Sequence, residues 1–287
     1  WNFMTAPLPY YVVGHPLGHT MSPFIHTRLF ALQNRPASYE ARDIPPEELA
    51  SVLPGLIARA GGVNVTIPHK QAVIPLLARL EGRAALYRSV NTIAPSPEGP
   101  VGYNTDAEGF LRALEAGGVS LAGRVALLGC GGVGRTFACE AALAGCRVVN
   151  AVRPEDTQAA KDLREYVLSL APGAAYELTT LTELEGEFDL LINATPVGMY
   201  PKADAAPVGR AAVSRCAAVF DAVYNPGKTR LLALAEEAGA KAIGGMPMLV
   251  WQAAAAHTYW YGAQFRKEDV ARLIEDADRE MDTVFNK

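Results

Sequence analysis

The chain has 287 residues, of which 50% are hydrophobic and 20% are charged, and its formal net charge is −4. This length suits one large domain or two medium ones. Acidic and basic residues are spread along the sequence, which argues against a nucleic-acid surface. The four cysteines show no CxxC spacing. Since no signal-peptide pattern opens the chain either, we expect a reduced, cytoplasmic protein.

The first part of the chain alternates β-like runs with helical patterns, and this order predicts a mostly parallel sheet with helices on its faces. Residues 89–106 predict a hairpin, because "SPEGP" supplies turn residues between two short strands. The predicted strands are "YYVVG" (10–14), "ASYEARDI" (37–44) and "GGVNVTIP", and the predicted helices are Pro23 to Gln33, the segment that begins at Pro45 and Pro46, and "HKQAVIPLLARL".

A second β–α–β series begins at "GRVALLGCGGVGRT" and continues through the apolar strands 188–196 and 217–224. Two helical patterns, 247–261 and 267–285, end the chain with no further strand. The apolar segment 246–263 contains Pro247, Gln252 and His257, so it is a poor membrane span. The fold class we predict is α/β with two domains. Its parts are a mixed, mostly parallel substrate domain (1–106), a Rossmann-type dinucleotide-binding domain (107–244) and C-terminal helices that return to the first domain (245–287).

A glycine-rich loop follows the first strand of the second series. Gly129, Gly131 and Gly134 have G-x-G-x-x-G spacing, after an apolar strand and at the start of an Ala-rich helix. In this context glycines let the backbone approach a pyrophosphate at the helix N-terminus. The loop therefore predicts a dinucleotide site. The alternative is a glycine-rich turn without a ligand.

The next strand ends in "AVRPED" (151–156), where the adenosine ribose is expected. Arg153 favours NADP, because a guanidinium binds a 2′-phosphate. Glu155 and Asp156 favour NAD, because carboxylates accept from a free ribose hydroxyl and repel that phosphate. A solvated turn also explains the two acids. The sequence leaves the choice between NADP and NAD open.

Near the N-terminus, "VVGHPLGHTMSPFIH" (12–26) runs from a strand through a loop into a helix. Ser22 before Pro23 is typical of an N-cap followed by proline at the first helical position. Hydroxyls and amides at a helix N-terminus also suit a carboxylate. A metal site at His15 and His19 is disfavoured, because no Cys, Asp or Glu lies near them in sequence; we predict no metal.

The chain resembles shikimate dehydrogenases, including quinate/shikimate dehydrogenases, over essentially its full length. The stretches that carry the resemblance are "GHPLGHTMSPFIH", "GVNVTIPHK", "SVNTI", "GYNTDAEGF", "LLGCGGVGRT", "INATPVGM", "DAVYNPGKTRLL" and "GGMPMLVWQAA". The resemblance implies reversible NAD(P)H-dependent reduction of 3-dehydroshikimate to shikimate, in the biosynthesis of aromatic amino acids through chorismate. It implies NADP by family default or NAD, a small-molecule substrate, no nucleic-acid or membrane partner, and a monomer or homodimer.

The resemblance also implies residue roles. Lys70 and Asp106 match the catalytic pair. The substrate carboxylate would meet Thr20 and Ser22, and the remaining substrate contacts would be Asn64, Thr66, Asn91, Tyr224 and Gln252, with Asp106 also near the ring hydroxyls. The cofactor would meet Gly129, Gly131, Gly132, Val133, Gly134, Arg153, Asn193, Ala194, Thr195, Gly198, Met199 and Gly245.

Three departures from the family pattern bear on specificity. The family usually has Ser at the position of Thr20 and Gly at the position of Ala107. The family members that use NADP commonly end the second strand of the dinucleotide-binding domain with "NRT" or "NRS", where this chain has "VRP". An NAD-preferring quinate/shikimate dehydrogenase is therefore the first alternative. A metabolite-binding protein without turnover is the second, although it would not need both Lys70 and Asp106.

Polar residues in these motifs also have structural explanations. Lys70 could be a surface lysine after Pro68, and Asp106 a helix N-cap. Asn64 and Thr66 could be solvent-facing positions of a strand. Within the family motifs, the functional interpretation is favoured.

Overall fold

A computed structural model describes residues 7–18 and 20–285 of the chain. The chain divides into two compact units. Unit 1 comprises the chain up to Thr105 together with Gln252–Ala277, and unit 2 comprises Asp106–Trp251 together with the chain from Asp278. The three-part domain division inferred from the sequence stays a prediction.

Unit 1 contains a six-stranded sheet, counted over the described residues, in the order β2-β1-β3-β5-β6-β4. β1 pairs in parallel with β2 and β3, while β5 is antiparallel to both β3 and β6. The elements are β1 (Leu8–Gly14), α1 (Ser22–Leu32), β2 (Ala37–Asp43), α2 (Leu49–Ile57), β3 (Gly62–Val65), β4 (Arg79–Leu80), α3 (Arg83–Tyr87), β5 (Thr92–Ala94) and β6 (Val101–Tyr103). The predicted mixed α/β class and the β5–β6 hairpin are confirmed.

Two local predictions for unit 1 were wrong. The stretch "HKQAVIPLLARL" forms turns, a single 3-10 turn at Ile74–Leu76 and the short strand β4, not an α-helix. Pro75 lies in its middle and has no N–H to donate, which disfavours a continuous helix there. In addition, α1 begins at Ser22 with Met21 as its N-cap, so Ser22 is inside the helix.

Unit 2 contains a six-stranded parallel sheet, again counted over the described residues, in the order β12-β11-β10-β7-β8-β9. Relative to its first strand, this is the 3-2-1-4-5-6 order of doubly wound dinucleotide-binding folds, which confirms the predicted Rossmann-type arrangement. The elements are α4 (Asp106–Ala116), β7 (Arg124–Leu128), α5 (Gly132–Leu143), β8 (Arg147–Val152), α6 (Thr157–Leu170), β9 (Tyr176–Thr180), β10 (Phe188–Asn193), α7 (Arg210–Val213), β11 (Cys216–Asp221), α8 (Arg230–Glu237) and β12 (Lys241–Ile243).

Two helices end the described chain, α9 (Met246–Tyr261) and α10 (Lys267–Phe285), close to the predicted bounds. Their central part, Gln252–Ala277, belongs to unit 1. Trp260 on α9 donates its indole N–H to the carbonyl of Ile93 at 3.0 Å and packs against Tyr10. None of the described helices is long and apolar enough to cross a membrane.

Candidate active site

A buried network of hydrogen bonds in unit 1 joins four of the predicted substrate residues. Asn64 on β3 is 6% exposed, so it is not a solvent-facing strand residue. Its amide donates to the carbonyl of Asn91 and to the Thr92 hydroxyl, both at 3.2 Å. The Asn91 amide in turn donates to Gln252 Oε1 at 3.2 Å on α9. These contacts bring together side chains that lie far apart in sequence.

Tyr39 on β2 connects this network to the start of α1, and sequence reasoning missed it. The Tyr39 hydroxyl donates to Asn64 Oδ1 at 2.6 Å and has a side-chain hydrogen bond with Ser22. Burial raises the pKa of Tyr39 well above its ordinary value, so the hydroxyl keeps its proton. Ser22, Asn64, Asn91 and Gln252 therefore belong to one continuous network.

Thr92 and Thr105 complete the network, and both were also missed. Thr105 Oγ1 accepts from the Asn91 amide at 2.8 Å, while its backbone N–H donates to Asn91 Oδ1 at 2.8 Å. Thr92 donates to the same Asn91 oxygen at 3.1 Å. Both threonines lie inside quoted motifs, "SVNTI" and "GYNTD", which is the only sequence signal that could have found them. These contacts fix the orientation of the Asn91 amide.

Two histidines lie buried behind Tyr39. The His26 ring stacks on Tyr39 with centroids 4.2 Å apart, and its Nδ1 lies 2.9 Å from Nε2 of His257. The other ring nitrogen of His257 lies 2.6 Å from the Tyr261 hydroxyl. Burial lowers the pKa of His257 to about 3 and the pKa of His26 well below its ordinary value. Both rings are therefore neutral near pH 7, and His26 supports Tyr39 by packing directly on its ring.

The predicted carboxylate-binding residues stand at the N-terminus of α1. Thr20 Oγ1 accepts from the backbone N–H of Ser22 at 3.2 Å. This bond uses the hydroxyl oxygen as acceptor and leaves its proton for another partner. Pro23 in the first turn has no N–H to satisfy. His19 lies outside the described residues, and among those that are described no group of three or more His, Cys, Asp or Glu could hold a metal ion.

Lys70 lies just past β3, in a segment that backbone hydrogen bonds hold in place. Thr66 N–H donates to the carbonyl of Val13, and the Lys70 carbonyl accepts from Val90 N–H at 2.8 Å. Between them, the buried His69 donates its Nε2 proton to the Ile44 carbonyl at 2.6 Å. Asp106, the predicted partner of Lys70, is the first residue of α4 in unit 2 and is buried. The pairing of Lys70 with Asp106 stays a prediction.

The glycine loop in unit 2 is tightly turned and leaves open space at the start of α5. Gly129 has φ +93°, which favours glycine. A Cβ built on Gly134 would lie 3.2 Å from the Gly129 carbonyl oxygen, so this glycine permits close packing of the loop and α5. A Cβ built on Gly131 or Gly132 would have no atom of the described residues within 4 Å. Open space thus lies at the N-terminus of α5, and a helix N-terminus is a general kind of site for phosphate groups. Val133 follows in the first turn of α5.

A second loop at the ends of β10 and β11 is held by a buried carboxyl group that sequence reasoning missed. Asp221 is 0% exposed and accepts from Asn193 Nδ2 at 2.9 Å, from Val223 N–H at 3.0 Å and from the Thr229 hydroxyl at 2.6 Å. Asn193 Oδ1 accepts from both the N–H and the hydroxyl of Thr195. Asp221 therefore fixes the Asn193 amide at the switch point between β7 and β10, where doubly wound folds bind ligands.

Other predicted cofactor positions of unit 2 lie in or near this loop. The Gly129 Cβ position would meet Ala194 and Thr195, so the glycine loop and the Asn193 loop are in contact. Met199 is exposed, and its N–H donates to the Pro196 carbonyl. A Cβ on Gly245 would lie 2.5 Å from the Ala222 carbonyl oxygen, so only glycine fits there.

At the end of β8, Arg153 is bound by its own neighbours. Its guanidinium contacts Asp156 through two hydrogen bonds, of 2.8 and 3.3 Å, and lies 3.4 Å from Glu155. Both carboxylates are solvent-accessible, as is Arg153. The guanidinium that would bind a 2′-phosphate is thus already ion-paired with two carboxylates.

The parallel sheet order and the open glycine loop of unit 2, together with the buried polar network of unit 1, are those of a two-unit α/β protein of the NAD(P)-dependent oxidoreductase class. The model of the shikimate dehydrogenase substrate binding domain matches residues 12–93. A shikimate dehydrogenase (NADP(+)) of Moorella thermoacetica is 37% identical over 93% of this chain and 92% of its own length. The chain belongs to the shikimate dehydrogenase family.

Two solved structures show the same fold. Shikimate 5-dehydrogenase from Thermus thermophilus, in complex with NADP(H) and shikimate, has a TM-score of 0.82 and 34% identity, covering 94% of this chain and 99% of that one. Shikimate 5-dehydrogenase from Listeria monocytogenes, in complex with shikimate and NAD, has a TM-score of 0.84 and 28% identity, covering 94% and 96%. Of these two similar structures, one therefore contains NADP(H) and the other contains NAD.

Proposed function

We propose that the protein is a shikimate dehydrogenase that reversibly reduces 3-dehydroshikimate to shikimate with NADPH or NADH. The observation that carries the proposal is the buried network in unit 1, which orients Ser22, Asn64, Asn91 and Gln252 together. A ring that carries several hydroxyls and a carboxylate needs such a set of fixed donors and acceptors. Thr20 and Ser22 bind the carboxylate, and Asn64, Thr66, Asn91, Tyr224 and Gln252 contact the rest of the substrate.

The chemistry divides between cofactor and protein. When bound, the dinucleotide supplies or accepts the hydride at the ring carbon. Lys70 donates the proton to the ketone oxygen during reduction and takes it back during oxidation. Asp106 binds the neighbouring hydroxyl and orients the lysine amine. The Asn193–Thr195 loop, with Met199 and Gly245, would hold the nicotinamide end of the cofactor, and the open space at Gly131 and Gly132 would receive the pyrophosphate.

The ion pair at the end of β8 favours a second candidate, an NAD-preferring quinate/shikimate dehydrogenase. Arg153 contributes positive charge for a 2′-phosphate, but Asp156 and Glu155 contact it and carry two negative charges. A phosphate dianion placed there must displace or neutralise these contacts. We therefore expect measurable turnover with NAD⁺ beside NADP⁺.

Initial rates with shikimate and quinate, each with NAD⁺ and NADP⁺, test the proposal and rank the two candidates. Turnover of shikimate is expected, and inactivity in all four combinations would leave only a binding function. Lys70→Met should reduce kcat by about a hundredfold or more, because it removes the proton donor. Lys161→Met, on the exposed face of α6, is the matched control. Near-normal turnover of a folded Lys70→Met protein would exclude Lys70 as the proton donor.

A further inference from the structure

The loop between β1 and α1 is attached to the end of β2 through the Asp43 carboxylate. Asp43, the last residue of β2, accepts from the backbone N–H of Leu17 at 2.8 Å through Oδ2. Its other oxygen, Oδ1, lies 2.6 Å from Nδ1 of His15. Because a carboxylate can only accept, His15 carries its proton on Nδ1 and donates it. Asp43 thus binds two residues of the loop that leads to Thr20.

Neighbouring backbone contacts make this attachment part of a wider junction. The Ile44 N–H donates to the Gly14 carbonyl at 3.0 Å, and the His15 N–H donates to the Ile67 carbonyl at 3.0 Å. The Ile44 carbonyl accepts from buried His69 at 2.6 Å. The ends of β1 and β2 and the segment after β3 are therefore joined where the loop begins. Asp43 is the acidic side chain at this junction, and its contacts with the loop are charge-assisted.

We propose that Asp43 is a positioning residue for the substrate carboxylate, acting through the loop that carries Thr20 and leads to Ser22 at the start of α1. This inference rests on the proposed function, which assigns those two hydroxyls to the carboxylate. Without Asp43, Leu17 and His15 lose their shared acceptor, and the loop no longer presents the Thr20 hydroxyl in one position. The loss falls on binding of the carboxylate and not on proton or hydride transfer.

The structure offers a matched control on the same strand. Glu40 on β2 is exposed and forms an ion pair with Arg42 at 2.9 Å, and no contact with the loop is seen for it among the described residues. Glu40→Gln removes the same charge as Asp43→Asn. Asp43→Asn keeps one oxygen that can accept from either Leu17 or His15, whereas Asp43→Ala keeps none. A graded effect is therefore expected.

The test compares shikimate with its methyl ester, which has the same ring hydroxyls and no carboxylate charge. For Asp43→Ala we expect KM for shikimate to rise about tenfold, with a smaller rise for Asp43→Asn, since charge-assisted hydrogen bonds are lost. We expect kcat, KM for NADP⁺ and KM for the ester to stay within about twofold of the parent values, as they should in Glu40→Gln. An equal loss with both substrates, or an equal effect in Glu40→Gln, would overturn the proposal.

Titration calorimetry with shikimate separates this inference from the proposed function. Weaker shikimate binding by Asp43→Ala supports the positioning role even if the parent protein shows no turnover, which would refute only the proposed function. Unchanged shikimate affinity in a folded Asp43→Ala protein overturns the positioning role, whatever the turnover.

Discussion

Replacing Thr229 with valine tests whether the buried Asp221 carboxyl group organises the cofactor side of unit 2. The change keeps the shape of the side chain and removes one hydroxyl, which is 1% exposed as part of its residue. That hydroxyl donates to Asp221 Oδ2 at 2.6 Å and accepts from the Leu232 N–H at 3.2 Å, where it caps α8. Valine leaves both buried partners without this contact.

The expected cost follows from these two contacts. Loss of a threonine N-cap costs about 1 kcal/mol, and a buried acceptor without its donor costs about 1–3 kcal/mol. Because the two effects share one hydroxyl, we expect Thr229→Val to lower the free energy of unfolding by about 2–3 kcal/mol. Urea denaturation followed by circular dichroism measures this value. Thr283→Val, at an exposed position of α10, is the control and should change stability by less than about 0.5 kcal/mol.

The pH dependence of this loss provides a second readout. Burial raises the pKa of Asp221 in the folded protein, partly opposed by donors that include Thr229. A raised folded-state pKa means that the folded protein holds the proton more tightly than the unfolded chain. Its stabilising contribution is present below the unfolded-state pKa and is lost as pH rises through the folded-state pKa. Removing a donor to the carboxylate raises that pKa further, so the destabilisation should be larger at pH 7.5 than at pH 4.5.

Two results would refute the reasoning about Asp221. One is a loss of stability no larger than that of Thr283→Val, and the other is a loss that does not change with pH. Since Asp221 also holds Asn193, the valine variant should bind NADPH more weakly, which nucleotide fluorescence titration measures at a temperature where the variant is folded.

Three further predictions concern the glycine loop, the end of β8 and the buried histidines. Gly132→Val should weaken NADPH binding about tenfold or more without lowering the urea midpoint, because the new side chain occupies open space at the N-terminus of α5. Asp156→Asn should raise the ratio of kcat/KM for NADP⁺ to that for NAD⁺ about fivefold, because Arg153 loses a competing carboxylate. His257→Phe should reduce the loss of folding stability that occurs as pH falls below 6.5. Because the folded-state pKa of His257 is lowered to about 3, the unfolded chain binds the proton at a higher pH than the folded protein does. Each pH unit between 6.5 and 3 therefore costs the folded protein about 1.4 kcal/mol.

Each of these three has a control and an opposing outcome. Gly209→Val, at another open glycine of unit 2, should leave NADPH affinity unchanged; similar losses in both variants would contradict the pyrophosphate assignment. Asp162→Asn, on the exposed face of α6, should not change cofactor preference. An unchanged ratio in Asp156→Asn would show that the Asp156 carboxylate does not weaken the contribution of Arg153 to NADP⁺ binding. If the free energy of unfolding of His257→Phe falls with decreasing pH as steeply as that of the parent protein, His257 is not the group that makes the protein acid-sensitive.

The sequence by itself predicted the α/β class, the Rossmann-type sheet and the position of the glycine loop. It could do so because these features depend on local patterns: apolar strands, glycines at fixed spacing and helices of suitable period. Local reasoning failed after Pro68, where a helix was expected, because the apolar spacing there resembles a helix although Pro75 interrupts its hydrogen bonds.

Only the tertiary structure identified the residues that hold the predicted site residues in place. Tyr39 carries no local signal of function, since a tyrosine in a strand is common. Thr105 and Asp221 are marked only by their places in the motifs "GYNTDAEGF" and "DAVYNPGKTRLL", which do not say what they contact. Their roles arise because the fold brings Tyr39 to Asn64 and Asp221 to Asn193 across neighbouring or nearby strands. The identity of a site residue can be inferred from a motif, but its orientation depends on partners that are distant in sequence and become neighbours only when the sheets form.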